Sequence, residues 1–293
     1  IADAINKVRC VDYSALYHDV MFSDPDRGIN QEWIKKEILP DVILMPNAGT
    51  RTLMWQETSG AKIDTPARFL FPIFSAVDLD DQMVECIGRY RWEICRKIQE
   101  GRKNGVKIMV FPELCLTAYT CGDLFLQKSL LTAVKRELKA LADFTKGSDM
   151  LVFAGLPWEY NHKLYNTAAA IQDGRLLGIV PKLWIPNYGE FYERRHFNPW
   201  ESGNVTVEFD GQKVPMGTKL LFACKNAENL VVGAEVCEDV WVLNPPSSAH
   251  AAAGATVIVN CSASDETTGK ADYRRSLISG QSARLLCAYV YAN

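Results

Sequence analysis

A chain of 293 residues, 48% of them hydrophobic, is long enough to bury the core of one large domain. Its net charge of −3 and its four scattered histidines argue against a nucleic-acid-binding surface and a multi-histidine metal site. Its nine cysteines, an odd number without a C-x-x-C pair, argue against a disulfide framework and a zinc site.

The first predicted region, residues 1–65, carries no chemical motif and differs from the rest of the chain. It holds one short apolar run between Pro40 and Pro46, which predicts a strand, and it ends in a polar stretch that is typical of a linker. We therefore expect an unassigned N-terminal segment over residues 1–65 and one domain over residues 66–293.

From residue 68 onward, predicted strands and helices alternate. Apolar residues recur at helical spacing from Met83 to Ile98, and the Asp173–Gly174 pair predicts a tight hairpin within residues 164–182. The other predicted elements are strands at 68–76, 105–111, 150–158, 229–237, 256–260 and 287–292, and helices at 129–144, 247–255 and 274–286. Such an alternation predicts an α/β layered domain.

Three polar residues lie at the ends of predicted strands: Glu113 after IMVFP, Lys182 after LLGIVP, and Cys237 after VVGAEV. Catalytic groups favour the carboxyl ends of strands in α/β sheets. Together the three form a set that can cleave an amide, because a carboxylate accepts the thiol proton, the sulfur attacks the carbonyl and an ammonium stabilises the oxyanion. Each residue alone is more often structural, so the hypothesis requires that they converge in space.

Cys237 lies between Glu235 and Glu238, and carboxylates raise the pKa of a nearby thiol. The thiol needs no low resting pKa if Glu113 takes its proton during attack. A metal site is the weaker interpretation, because these carboxylates, Cys237 and Asp239 mix soft and hard ligands that suit no common ion.

Four longer stretches contain these residues and resemble the nitrilase, or carbon–nitrogen hydrolase, superfamily. They are VFPELCLTAYTCGDLF (110–125), GIVPKLWIPNYGEFYERRHF (178–197), VGAEVCEDVWVLNPPSS (232–248) and VNCSASDETTGKADYRRSLISGQSARLLCAYVYA (259–292). Within them YTCGDLF, EFYERR, PPSS and GKADYRR are more narrowly similar to the glutaminase domain of glutamine-dependent NAD+ synthetases. The resemblance runs from about residue 102 onward.

The resemblance implies an αββα sandwich that pairs with a second copy, and hence a homo-oligomer. It implies a catalytic triad of Glu113, Lys182 and Cys237 that hydrolyses L-glutamine through a γ-glutamyl thioester. The ammonia would pass to a synthetase domain. The expected cofactors of that domain are ATP, Mg²⁺ and deamido-NAD+, and none is expected for the hydrolase domain itself.

The resemblance also implies a set of residues that bind the substrate or line its pocket. They are Tyr119, Tyr188, Glu193, Glu238, Trp241, Ser264 and Lys270. Lys270 suits the α-carboxylate, and Glu193 would orient Lys182 and is available to the substrate amine. A glutamine pocket needs both signs of charge because the head of the amino acid is a zwitterion.

The chain also departs from the family pattern. The opening strand and helix of the family are not recognisable in residues 1–100, although residues 66–100 could replace them. The family continues beyond YVYA with further strands, so we expect a sandwich that is incomplete at its C-terminus. The pyrophosphate loop S-G-G-x-D-S of the synthetase domain is absent, and SGQSAR belongs to a predicted helix.

Two alternatives to a glutaminase domain stay open. One is a free-standing amidase or nitrilase that acts on another small amide or nitrile, and the other is an inactive, truncated or chimeric remnant. For every alternative we expect no membrane span and a cytoplasmic location, because no apolar run is long enough to cross a bilayer and the first residues lack a signal-peptide pattern.

Overall fold

The computed structural model describes residues 79–265 and 267–293, with side chains from Cys86 onward. Ile87–Asn293 forms one compact unit. The predicted segment 1–65, its boundary with the following domain and the predicted strand at 68–76 lie outside the described residues.

The described part of the chain alternates between helices and strands. The α-helices are α1 (Leu79–Lys103), α2 (Lys128–Phe144), α3 (Pro246–Ala252) and α4 (Lys270–Leu285). The strands are β1 (Ile108–Val110), β2 (Leu151–Tyr160), β3 (Lys163–Gln172), β4 (Arg175–Pro181), β5 (Val205–Phe209), β6 (Gln212–Met216), β7 (Leu221–Ala223), β8 (Val231–Val236), β9 (Val257–Cys261) and β10 (Ala288–Ala292). Short 3-10 helices lie at Gly122–Leu126, Glu193–Arg195 and Cys237–Val240.

The first sheet has the strand order β1-β2-β3-β4-β6-β5. β1 is parallel to β2, and β2, β3 and β4 are antiparallel neighbours. The predicted hairpin is confirmed: Gln172 pairs with Arg175, and Asp173 and Gly174 between them have φ of 47° and 77°, the left-handed region that a tight turn of this kind requires. β4 thereby returns toward the edge where β1 ends.

The second sheet has the order β10-β9-β8-β7. β8, β9 and β10 are parallel, and β7 runs antiparallel to β8. Because parallel strands end at the same edge, the residues that follow β8 and β9 are brought side by side.

The two sheets pack face to face through buried apolar side chains. The core includes Phe153 and Ala168 of the first sheet and Val232, Ala234 and Val259 of the second. Helices cover the outer faces, where α2 contacts β2, α3 contacts β8 and α4 contacts β10. The predicted α/β fold, an αββα sandwich like that of the nitrilases, is confirmed.

α1 lies beside α2, where the guanidinium of Arg91 donates to Glu137 at 2.9 Å. Its predicted apolar face is buried at Ile87, Ile94 and Ile98. No helix within the described ranges combines the length and the apolar composition that a bilayer crossing requires.

The β5–β6 hairpin and β7 were not predicted from the sequence. The last helix is also longer than predicted, since α4 begins at Lys270 rather than at residue 274. This places Lys270 on the first turn of α4, close to the loop that follows β9.

Candidate active site

Cys237 is the first residue after β8 and opens the 3-10 helix Cys237–Val240. Its φ of 44° is in the left-handed region, which is unusual for a residue with a side chain and which recurs at active sites. Its N–H donates to Oδ1 of Asn260 at 2.9 Å, and its side chain is buried. The turn therefore holds the sulfur in a fixed position at the carboxyl end of the strand.

Glu113 follows β1 and lies on a loop that crosses both sheets. Its N–H donates to the Ser262 carbonyl at 3.1 Å, and the loop continues over β2, where the Leu116 N–H donates to the Gly155 carbonyl at 3.1 Å. Gly155 allows this close approach, because a Cβ there would lie 2.3 Å from the Leu114 nitrogen. The loop that carries Glu113 is thus fixed to the middle of β2 and to the residue that follows β9.

Lys182 follows β4 and is fully buried. Its N–H donates to the Asn166 carbonyl at 2.8 Å, which continues the ladder with β3. Its Nζ lies 2.6 Å from Oε1 of Glu113 and 2.6 Å from Oε1 of Glu193. One ammonium therefore joins two buried carboxylates.

Asn166 and Tyr119 complete this group of buried side chains. Asn166 Nδ2 donates to Oε1 of Glu113 at 2.6 Å and to Oε2 of Glu193 at 3.3 Å. Tyr119 donates its hydroxyl to Oε1 of Glu193 at 2.7 Å. We call Glu113, Tyr119, Asn166, Lys182 and Glu193 the inner cluster. Sequence reasoning missed Asn166, whose only signal was an amide in an otherwise apolar strand.

Burial and neighbouring charges set the protonation of the inner cluster and the thiol. Burial, and then Glu113, raise the pKa of Cys237 to about 12, with Lys182 opposing them. Burial also raises the pKa of Glu113, although Lys182 lowers it. Burial disfavours the charged form of Lys182, but the carboxylates outweigh it and its pKa lies well above the usual range. The resting cysteine is therefore a thiol.

One carboxylate oxygen of Glu113 is not occupied by a hydrogen bond of ordinary geometry within the described residues. This oxygen, Oε2, is buried. The Cys237 side chain lies near enough to lower the Glu113 pKa as a weak donor. An acceptor oxygen of Glu113 is therefore available near the thiol, and the role of Glu113 as the base stays a prediction.

A second layer of residues lies outside the inner cluster. Tyr188 donates its hydroxyl to both oxygens of Glu238, at 2.8 and 2.9 Å. Lys270 Nζ lies 5.4 Å from the centre of the Trp241 ring and contacts the carboxylate of Asp265. We call Tyr188, Glu238, Trp241, Asp265 and Lys270 the outer ring.

Phe191, which sequence reasoning missed, connects the two layers. Its ring is 6.5 Å from Tyr119 of the inner cluster and 5.9 Å from Tyr188 of the outer ring, with edge-to-face geometry in both pairs. Lys270 Nζ lies 5.7 Å from the same ring. Lys182, Glu193 and Lys270 all influence the pKa of Glu238, which burial raises. The two layers thus form one continuous site.

Ser264, the remaining predicted substrate residue, lies in the loop after β9. Its N–H donates to Oδ1 of Asn293 at 2.6 Å, and its carbonyl accepts from Nδ2 of the same side chain at 3.0 Å. The structure therefore brings the predicted triad together with Tyr119 and Glu193, and it brings Tyr188, Glu238, Trp241 and Lys270 around them. The catalytic and binding roles of these residues stay predictions.

The two remaining acidic residues around Cys237 are directed elsewhere. Glu235 accepts from the Ser247 N–H at 2.8 Å and from the Tyr289 hydroxyl. Asp239 accepts from backbone N–H groups at the end of β4 and at Val236, and burial together with Glu235 raises its pKa to about 8. These acids fix the ends of strands. Within residues 79–265 and 267–293, no group of three or more His, Cys, Asp or Glu side chains is arranged to hold a metal ion.

Comparison with known proteins assigns a family to these features. A model of the carbon–nitrogen hydrolase family matches residues 92–293. The glutamine-dependent NAD(+) synthetase of Mycobacterium tuberculosis (strain H37Rv) is 45% identical over 191 residues, which are 64% of this chain and 28% of that protein. The chain thus spans less than a third of the length of this relative.

Solved structures agree with that match. A glutamine-dependent NAD(+) synthetase from Cytophaga hutchinsonii superposes with a TM-score of 0.62 and 32% identity, over 70% of this chain and 33% of the other. A carbon–nitrogen hydrolase from Helicobacter pylori G27 superposes with a TM-score of 0.51 and 20% identity, over 70% of this chain and 68% of the other. The second similarity concerns the fold alone.

Proposed function

This chain belongs to the carbon–nitrogen hydrolase family, and we propose that it is a glutaminase domain that supplies ammonia to NAD+ synthesis. The observation that carries the proposal is the buried Lys182 ammonium, held 2.6 Å from Glu113 and from Glu193. The relatives named for glutamine-dependent NAD+ synthesis support the substrate.

In the proposed reaction, the Cys237 sulfur attacks the amide carbon of glutamine and its proton passes to Oε2 of Glu113. Lys182 and the N–H of Glu238 stabilise the oxyanion. When the oxyanion collapses, the carbon–nitrogen bond breaks and Glu113 returns the proton to the leaving nitrogen, which departs as ammonia. A γ-glutamyl thioester stays on Cys237.

Water then attacks the thioester and gives its proton to Glu113. Collapse of the second oxyanion breaks the carbon–sulfur bond, glutamate leaves, and the sulfur recovers the proton from Glu113. The pKa of about 12 of the thiol fits this cycle, because the sulfur loses its proton only while it forms the bond. The inner cluster thus serves both halves of the reaction.

Binding of the substrate head is assigned to the predicted residues around the inner cluster, which are Tyr188, Glu238, Trp241, Ser264 and Lys270. Lys270 pairs with the α-carboxylate, while Tyr188 and Trp241 enclose the carbon chain. Tyr119 and Glu193 hold Lys182 in the orientation that the oxyanion requires. Glutamine enters between the two layers and presents its amide to Cys237.

The partner of this domain is proposed to be an ATP-dependent synthetase domain that amidates deamido-NAD+ with the released ammonia, using Mg²⁺. We assign the chain to a homo-oligomer in the cytoplasm. The eight cysteines within the described residues form no disulfide, which fits a reducing compartment.

The proposal is tested with Cys237→Ala. We expect glutamine-dependent ammonia release to fall by about 10³-fold or more, because the nucleophile is lost, with little change in thermal stability. The matched control is Cys224→Ala, which removes an exposed cysteine and should keep full activity. A glutamine-derived diazoketone should label Cys237 alone, as mass spectrometry of the digested protein would show.

Full turnover by Cys237→Ala would contradict the proposal. Uniform labelling of the cysteines would instead favour an inactive remnant. Ammonia release from other small amides but not from glutamine would favour the amidase alternative.

A further inference from the structure

Asp265 and Lys270 form an ion pair in the outer ring. Their side chains are 23% (Lys270) and 20% (Asp265) exposed, so water screens the pair only in part. The rings of Trp241 and Phe191, 5.4 and 5.7 Å from Lys270 Nζ, fix the ammonium from two further sides. The pair is therefore held in place at the site and is not a freely solvated contact.

Among the acidic residues that the structure describes around this site, Asp265 is the one best placed to receive a second positive charge beside Lys270. Glu193 is buried, and its two oxygens accept from three donors of the inner cluster. Glu238 accepts from Tyr188 through both oxygens. Asp265 instead contacts the very ammonium that the proposed function assigns to the α-carboxylate.

An α-amino acid carries its ammonium and its carboxylate on one carbon. A lysine and an aspartate in contact place a positive charge opposite the substrate carboxylate and a negative charge opposite the substrate ammonium. A substrate head can therefore pair crosswise with both, so that no charge is left without a partner in a half-buried site. On the basis of the proposed function, we infer that Asp265 binds the α-ammonium of glutamine and makes the site select α-amino acids.

The test compares glutamine with its analogue in which hydrogen replaces the α-amino group, glutaramate. Selectivity is the ratio of kcat/KM for the two amides. Asp265→Asn keeps the shape of the side chain and removes its charge. We expect this selectivity to fall about ten- to a hundred-fold, the usual effect of a lost hydrogen bond between charged groups.

Two variants accompany Asp265→Asn. Asp272→Asn is the matched control, since Asp272 lies on α4 and pairs at 3.1 Å with Arg275 in solvent, and it should keep the wild-type selectivity. Asp265→Glu keeps the charge and should recover part of the lost selectivity. Because the readout is a ratio, a variant that is merely less well folded lowers both rates and leaves the ratio unchanged.

An unchanged ratio in Asp265→Asn would overturn the inference. A rise in the affinity of Asp265→Asn for both amides would also overturn it. That result would mean that Asp265 only neutralises Lys270 and competes with the α-carboxylate of either amide. If the wild-type protein hydrolyses neither amide, the proposed function itself fails. A failure of the inference alone leaves glutamine hydrolysis and its preference over glutaramate intact in Asp265→Asn.

Discussion

At the scale of single residues, the main feature of the site is a group of buried charged side chains. Two carboxylates and one ammonium are buried together in the inner cluster, and such an arrangement is stable only while each charge keeps its partner. Asn166 supports it by donating to both carboxylates. The positive charge of Lys182 therefore serves the structure in the resting state, and in the proposed reaction it stabilises the oxyanion.

Lys182→Met tests this double role. We expect turnover of glutamine to fall nearly as far as in Cys237→Ala, by about 10³-fold, because the oxyanion loses its counter-charge. We also expect a loss of about 3–5 kcal/mol in the free energy of unfolding, because Glu113 and Glu193 are left close together without a cation. Initial rates and urea unfolding measure the two effects.

Lys107→Met is the control, because it breaks an ion pair with Asp149 whose side chains are 64% and 73% exposed. Exposed pairs contribute little, so both measurements should stay near the wild-type values. Normal turnover in Lys182→Met would leave Lys182 a structural role only.

At the scale of elements, the site is built by strands that end together. β1, β4 and β8 each deliver one of Glu113, Lys182 and Cys237, and β9 adds Asn260 and the loop to Asp265. The loop of Glu113 can lie against β2 only because Gly155 has no side chain. The position of the proposed base therefore depends on a glycine in another strand.

Gly155→Ala should displace this loop. The new Cβ would meet the Leu114 nitrogen at 2.3 Å and the Pro112 carbonyl oxygen at 2.6 Å, and backbone atoms cannot give way as a flexible side chain can. We expect a loss of about 1–3 kcal/mol in stability and at least about a ten-fold loss of glutamine turnover. Calorimetry and initial rates measure both.

Gly280→Ala in α4 serves as the matched control. A Cβ at Gly280 meets nothing within 4 Å, so the variant should be neutral or more stable by up to about 1 kcal/mol. Wild-type activity in Gly155→Ala would mean that the loop adapts without moving Glu113.

The sequence predicted the three residues of the proposed triad better than it predicted the side chains that contact them. Glu113, Lys182 and Cys237 were visible because each is a polar residue after an apolar strand. Asn166, Phe191 and Asp265 were not, because their contacts depend on strand order and on turns that no local pattern reveals. The resemblance to a family supplied Tyr119, Tyr188 and Lys270, which residue patterns alone would have left as surface groups.

The missed β5–β6 hairpin has a physical cause. Residues 205–216 alternate between apolar and polar side chains, and Asp210 and Gly211 form a turn with φ of 48° and 71°. Pro215, however, argues against an inner strand. β6 tolerates this proline because it meets β4 only through Met216 and Ile179. The absence of an N–H at Pro215 therefore costs β6 little of its pairing with β4.

At the scale of the whole molecule, stability comes from the two sheets packed against each other. Phe153 is fully buried between them and meets Phe222 edge-to-face at 5.5 Å. Glu113 and Lys182 follow strands of the first sheet, and Cys237 follows a strand of the second. The packing of the two sheets therefore fixes the distance between Cys237 and the other two residues. Stability and catalytic geometry are thus linked.

Phe153→Ala should remove about 3–5 kcal/mol from the free energy of unfolding, because it leaves a cavity between the sheets. For a domain of this size the melting temperature should fall by roughly 6–20 °C, which calorimetry measures. Leu243→Ala is the control, since Leu243 is fully exposed and its loss should change stability by less than about 0.5 kcal/mol. Equal stabilities for the two variants would contradict this account of the core.

The order of the strands along the chain has a consequence for biosynthesis. Tyr289 and Tyr291 reach back from β10 to Asn260 and to Ser262, and Asn260 holds the backbone of Cys237. In a growing polypeptide, Cys237 therefore leaves the ribosome before β10, whose tyrosines support Asn260 and Ser262. In the proposed reaction, glutamine hydrolysis should therefore begin only after β10 has emerged and docked.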